Sequence, residues 1–327
     1  MVPLSVLDLA PVAEGSDAGV ALNNARELAQ TAERCGYRRF WMAEHHSMPG
    51  IASAATAVAL CFVAGGTSTI RIGAGGIMLP NHSPLQVAEQ FGTLEALFPG
   101  RVDLGLGRAP GTDQAAAFAM RRNLDNDPNA FPRDVVELLN YFQPAEPGRR
   151  VRAIPGEGLE VPVWILGSSL YGAQLAAQLG LPYAFASHFA PQQMLAALAM
   201  YRERFQPSRW LERPYAMLGF NVFAAGSDEE GALLATSLQQ AFVALRTGQP
   251  GKLKPPVPAY AGSLPLEQRA SLDHLLSCSA IGSAQTVKAA TEDFVARTGA
   301  DELMITSQIF DHQARLRSFE ILAEAVG

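Results

Sequence analysis

Ala43-Glu44-His45-His46 sets a carboxylate and two imidazoles side by side. Such a group can hold or pass a proton, because imidazole is the side chain that titrates near neutral pH. Zinc is a rival reading. The spacing is not H-E-x-x-H, however, and adjacent side chains of an extended segment point in opposite directions. A plainer reading, polar residues that shape a loop, stands beside both. Gly73-Ala74-Gly75-Gly76-Ile77-Met78-Leu79-Pro80 opens with three glycines in four residues. Glycines there let the backbone approach a flat ligand closely or take an unusual torsion. The stretch matches neither the dinucleotide fingerprint nor the P-loop. Gly105-Leu106-Gly107-Arg108 brings a guanidinium out among small residues. Its planar fork suits two oxygens of a phosphate, and a salt bridge is the ordinary alternative. In Gly167-Ser168-Ser169-Leu170-Tyr171 two hydroxyls precede a helical stretch. They can cap the helix, or its free N–H groups can receive a phosphate monoester. This run is not the G-x-S-x-G nucleophile elbow, so a serine hydrolase has little support. Ser187-His188 reads as an uninvolved polar rim.

All of these segments fall just after short apolar runs. The runs predict strands at Leu4–Leu9, Phe40–Ala43, Ile70–Ala74, Val102–Leu106, Val161–Leu166, Tyr183–Ala186, Leu218–Ala224 and Glu302–Thr306. Helical periodicity follows most of them, at Leu22–Arg34, Ala54–Ala64, Pro84–Leu97, Asp134–Phe142, Ser169–Gln178, Gln192–Phe205, Asp228–Arg246, Ala284–Arg297 and Ala314–Ala325. Pro84 suits a first turn, where its missing N–H costs nothing. Strands alternating with helices pair in parallel through right-handed crossovers. Around eight such units predict a (β/α)₈ TIM barrel, with an open doubly wound sheet as the alternative. In both folds ligands sit at the C-terminal ends of the strands. Two stretches break the rhythm, after strand four (about 109–133) and before strand eight (about 248–280). One domain spanning 1–327 is expected, and Gly248–Pro265 is a candidate lid.

The 327 residues fit one barrel of about 250 residues with insertions. Hydrophobic residues make up 48% and charged residues 17%, enough to bury a large core. The formal charge is −6, and no basic stripe is present to neutralise phosphates, so nucleic-acid binding is not expected. Cys35, Cys61 and Cys278 are too far apart for metal-ligand spacing and read as thiols in a reducing cytoplasm. The start, MVPLSVLDLAP, has no basic n-region or long apolar run, so no signal peptide is expected. The most apolar window, Ala52–Ala64, is too short to span a bilayer.

Taken in order, these segments resemble the bacterial luciferase-like monooxygenase family, in its single-chain form. The likeness runs through Trp41–His46, Ile70–Pro80, Gly100–Arg108, Pro162–Ser169, Ala176–Pro182 and Ile281–Ser283. The resemblance implies a barrel that binds FMN. It puts the catalytic histidine at His45, beside the reactive edge of the flavin. It puts a non-proline cis peptide at Gly75-Gly76. It sets Arg108 and Ser168, with Tyr171, around the flavin phosphate, and has Glu44, Ile165 and Gly167 contact the cofactor; Ser169 is a further cofactor-binding candidate. Gly107 stands where luciferase itself carries a reactive cysteine, and Gly167 where it has an acid. Those departures argue against light emission and leave flavin binding intact.

The implied reaction is a monooxygenation. Reduced FMN meets O₂ to give a C4a-peroxyflavin, which oxidises a small organic substrate. The cofactor carries the difficult step while the protein holds the ring, excludes water and manages protons. No NADH fingerprint is visible, so reduced FMN is expected from a separate reductase by diffusion. A homodimer is also expected from the family. Two alternatives stand: an F420-dependent hydride-transfer oxidoreductase on the same barrel, and a flavin-binding protein without turnover. The substrate is not legible. Met48, Phe118, Phe131 and Phe189 hint at an apolar pocket, although core or loop packing is the plainer role for each.

Overall fold

The computed structural model describes residues 1–108, 119–120 and 130–327. The expected stretch after strand four thus lies mostly outside the described residues, Phe118 included. Among the described residues nine parallel strands form one sheet: β1 (Leu4–Asp8), β2 (Arg39–Met42), β3 (Arg71–Met78), β4 (Val102–Gly107), β5 (Val163–Gly167), β6 (Tyr183–Phe185), β7 (Ala216–Ala224), β8 (Ser279–Gly282) and β9 (Glu302–Thr306). Pairing of β6 with β7 closes the sheet and leaves β8 outside the ring, so eight of the nine strands build a (β/α)₈ barrel. The open-sheet alternative is excluded by that closure. β8 extends the sheet beside the outer half of β7, where Asn221 to Ala224 pair with Ser279 to Gly282. Sequence reading found Ile281-Gly282-Ser283 but no strand there, because four residues ahead of a helix carry almost no periodicity.

Ten helices wrap the ring among the described residues: α1 (Ala18–Arg34), α2 (Thr56–Ala64), α3 (Pro84–Leu97), α4 (Ala130–Tyr141), α5 (Leu170–Leu179), α6 (Met194–Arg204), α7 (Asp228–Arg246), α8 (Leu266–Leu275), α9 (Ala284–Thr298) and α10 (His312–Val326). α1 begins a turn before the apolar pattern does. Asp17 caps it, its carboxylate accepting from the Val20 N–H at 2.9 Å. The segment before β9 holds α8 and a backbone bridge from Ala13 to Leu253. No helix among the described residues is long and apolar enough to cross a membrane.

Strand alternation sorts the side chains. Leu104, Leu106, Leu218 and Phe220 face the helices and join the main core. Leu7, Trp41, Trp164, Met217 and Met304 face inward and fill the middle of the barrel. Trp41 meets Trp164 edge-to-face at 5.3 Å. Beneath them, at the N-terminal ends of the strands, Arg39 is buried between Glu302 at 2.9 Å and Asp103 at 2.7 Å. Arg71 also donates to Asp103, and Ser5 to Glu302. This charged floor closes the barrel from below, so chemistry is confined to the opposite end.

Candidate active site

At the exit of β2, Trp41 and Ala43 face inward and Glu44 turns the other way, towards the end of β3. Its carboxylate is fully buried and satisfied by three N–H groups. Oε1 meets His46 Nε2 at 2.6 Å and His82 Nε2 at 2.7 Å, while Oε2 accepts from the Met78 N–H at 2.9 Å. Burial alone would raise its pKa. The hydrogen bond and charge of His82, then the bonds from His46 and Met78, outweigh that and hold it below the ordinary glutamate value. Glu44 therefore orients two imidazoles at one rim of the mouth, with both Nε2 atoms turned to it. The ligating atoms of Glu44, His46 and His82 all lie within 4.8 Å of one another, a set that could hold a metal ion. Nitrogen–oxygen distances of 2.6 and 2.7 Å are those of hydrogen bonds. His45 lies half-buried between Glu44 and His46 in this extended stretch.

Beside it the β3 ladder slips. Ala74 pairs with Leu104 and Ile77 with Leu106, so three steps on β3 oppose two on β4. The Gly75–Gly76 bond inside this bulge is cis. Neither residue has room for a side chain: a Cβ on Gly75 would lie 2.8 Å from Leu7 Cδ1, and one on Gly76 2.8 Å from the Gly105 carbonyl oxygen. The loop that follows carries His82 back to Glu44. His82 was absent from the sequence-derived candidates, since 38 residues separate it from Glu44; its position just past a glycine-rich strand was the available signal.

Across the mouth, Arg108 leaves β4 exposed, and its guanidinium lies 4.2 Å from the centre of the Tyr171 ring. Tyr171 stands in the first turn of α5. Its hydroxyl is buried and has no hydrogen-bond partner among the described residues. Ser169 is the N-cap residue of α5, yet its side chain makes no capping bond, and Ser168 is exposed. The helix start thus keeps free N–H groups beside an exposed cation and an unmet phenol, which is the donor set an anionic phosphate ester needs. The residues present fit a flavin mononucleotide tail on that ground. Gly167 ends β5 within 3.4 Å of Gly172 at its would-be Cβ, bringing strand and helix close. The Ile165 side chain points the other way and is fully buried in the core under the helices. Its backbone is buried too, with the N–H donated to the Pro182 carbonyl at 3.1 Å, so the structure does not bring Ile165 to the mouth. A groove of about 670 Å³ along the outer face of α4, past Arg133, Asn140 and Arg149, contains none of these residues.

His188, read from sequence as uninvolved rim, lies instead on the inner wall at the mouth, against Gly219 of β7. Burial and then the neighbouring charge of His45 push its pKa down to about 4. Its signal in the sequence was its place two residues past a strand end, which also fits an ordinary turn.

The family model for luciferase-like monooxygenases matches residues 2–302. The luciferase-like monooxygenase of Escherichia coli (strain K12) is 52% identical over 320 residues, covering 98% of this chain and 96% of the relative. The crystal structure of apo-MsnO8 is 34% identical, with a TM-score of 0.88, over 99% of this chain and 98% of that one. More distant structures share the fold. They include the oxygenating constituent of 3,6-diketocamphane monooxygenase from Pseudomonas putida in complex with FMN (17% identical, TM-score 0.72, over 99% of this chain and 97% of that one). An F420-dependent secondary alcohol dehydrogenase is 16% identical, with a TM-score of 0.68, over 100% of this chain and 99% of that one. Motif order, barrel closure and whole-length similarity agree: the chain belongs to the luciferase-like monooxygenase family.

Proposed function

We propose that this protein is an FMN-dependent monooxygenase that takes its reduced flavin from a separate reductase and oxidises a small organic substrate in the mouth of the barrel. The observation that carries this reading is the anion seat. An exposed guanidinium, a buried phenol hydroxyl and a helix start, the last two without a hydrogen-bond partner or side-chain cap among the described residues, converge between β4 and α5. Arg108, Tyr171, Ser168 and Ser169 hold the phosphate. The flavin ring then lies across the mouth beside the Gly75–Gly76 bulge, with Gly167 at its edge. Bound in reduced form, the flavin supplies activation of O₂ for insertion of one oxygen atom.

The chain's own residues divide the remaining work. His45 faces the flavin edge and gives or takes the proton that the oxygenation displaces. Glu44 does not touch the substrate. It fixes His46 and His82 by accepting from both, which keeps the rim around His45 in one geometry. The tryptophans of the barrel interior and the charged floor exclude water from below.

The test is oxygen uptake by the purified protein with FMN, a flavin reductase and NADH, across a panel of aldehydes, alkanes, sulfonates and thioethers. Uptake that rises with one substrate class and yields its oxygenated product supports the reading. Product formation with reduced F420 under anaerobic conditions, and none with FMN, favours hydride transfer instead. Tight FMN binding with no turnover on any panel member favours a flavin carrier.

A further inference from the structure

Glu44, His46 and His82 bring the donor set of a metal centre to one rim of the barrel. Glu44 and His46 stand two apart in an extended stretch, so their side chains leave it on the same side. The objection to adjacent ligands therefore falls on His45 and not on His46. His82 arrives from the loop after β3, 38 residues along the chain from Glu44. Each of the three offers one ligating atom, and these atoms all lie within 4.8 Å of one another. The ring centres of His46 and His82 stand 6.5 Å apart at 47°, so the imidazoles flank the carboxylate instead of stacking on each other. The second carboxylate oxygen is engaged elsewhere: the Met78 N–H donates to Oε2 at 2.9 Å and leaves Oε1 to both rings. The Glu44 side chain is 1% exposed, whereas those of His46 and His82 are 21% and 27% exposed. The charge is thus buried, and the imidazoles give access to it from solvent.

We propose that Glu44, His46 and His82 bind a divalent transition-metal ion of the zinc type, and that the ion ties the loop after β2 to the loop after β3. Two imidazoles and one carboxylate are the ligand set of open zinc sites, in which water or another small ligand takes the fourth place. Imidazole nitrogen favours zinc and its first-row neighbours over magnesium and calcium, which take oxygen. With no ion bound, both Nε2 atoms donate to Oε1. With the ion bound, each ring carries its proton on Nδ1 and turns the lone pair of Nε2 to the metal. Bonds of about 2.0–2.2 Å to the metal set the three ligating atoms about 3–3.5 Å apart. The two contacts to Oε1, at 2.6 and 2.7 Å, lengthen by less than about 1 Å to reach that spacing, a movement open to half-buried side chains on loops. The Met78 N–H then supports the ligating carboxylate through its other oxygen. The site contains none of Arg108, Tyr171 and His45, so it goes beyond the flavin reading and does not rest on it.

Zinc chloride is the probe, titrated into the flavin-free full chain against a chromophoric chelator after earlier metal has been stripped. The wild type should take up zinc at a site that magnesium in excess does not fill. His46→Gln and His82→Gln should each weaken that binding by at least about tenfold, since loss even of an outer-shell partner of a metal costs about 10–100-fold. Zinc should also raise the Tm of the wild type, because an ion that binds only the folded chain stabilises it, and should leave the Tm of either variant nearly unchanged. Anomalous scattering from zinc-soaked crystals of the wild type needs no variant, so the test survives if both fail to fold. The expected peak lies between Glu44 Oε1 and the two Nε2 atoms. Cobalt in place of zinc should show no thiolate charge-transfer band. No zinc uptake by the wild type, or undiminished affinity in either variant, overturns the proposal. So does an anomalous peak elsewhere alone, or a thiolate band, which assigns the ion to Cys35, Cys61 or Cys278. Every readout is taken without flavin, so failure of the protein to bind FMN contradicts the flavin reading and leaves the metal site to its own result.

Discussion

Each residue at the mouth is paired or left unpaired in a way that predicts its loss. Arg108 is exposed and lies over the Tyr171 ring, so Arg108→Ala should weaken FMN by roughly tenfold or more, the scale of a charge-assisted contact to phosphate. His45→Ala should bind FMN nearly as well as the wild type and lose turnover, which stopped-flow binding and product assays would separate. Similar losses in both quantities would contradict a proton-transfer role. Glu44 gives a pH signature. Its folded pKa lies below the ordinary value of 4.5, so its ionised form stabilises the fold above that pH. That stability should drain away as pH falls from 4.5 through the lowered value, and Glu44→Gln should flatten this part of the acid denaturation curve. A variant with the same acid limb as the wild type would remove Glu44 from the account.

Among the elements, the two helix starts make a contrast. Asp17 caps α1 through the Val20 N–H, so Asp17→Ala should cost about 1 kcal/mol. Ser169 caps nothing at α5, so Ser169→Ala should change thermal stability by less than about 0.5 kcal/mol while reducing affinity for the flavin phosphate. A large stability loss in Ser169→Ala would show that its hydroxyl is structural. The elements were also where sequence reading worked best. Strands such as β4 and β9 are apolar runs bounded by turns, and period alone located them. β8 escaped because its partner, the end of β7, lies 58 positions away in the Asn221–Ser279 pair, and nothing local marks it. The site divided in the same way. Glu44, Arg108 and Gly75-Gly76 stand next to strands and were legible from that position. His82 and the inward turn of His188 depend on long-range contacts with Glu44 and Gly219, which no local pattern encodes.

At the scale of the whole molecule, the barrel separates stability from function along its axis. The N-terminal end holds Arg39, Asp103 and Glu302, buried and mutually paired. Breaking the set by Arg39→Met should cost about 3–5 kcal/mol, because two carboxylates would stay buried with one cation fewer. Chemical denaturation would measure it, and a change under about 1 kcal/mol would contradict the pairing. FMN affinity of the surviving folded protein should hardly change, since the floor does not reach the mouth. The C-terminal end differs: among the described residues the Tyr171 hydroxyl is buried without a hydrogen-bond partner and Ser169 makes no capping bond at the start of α5.

The anion seat between β4 and α5 is the central claim, and comparing FMN with riboflavin tests it most directly. Fluorescence titration of the wild type and Arg108→Ala with both ligands isolates the phosphate from the ring. The wild type should prefer FMN over riboflavin by at least about tenfold, and Arg108→Ala should bind both nearly equally. Equal affinity of the wild type for the two ligands, or an undiminished preference in Arg108→Ala, would contradict it.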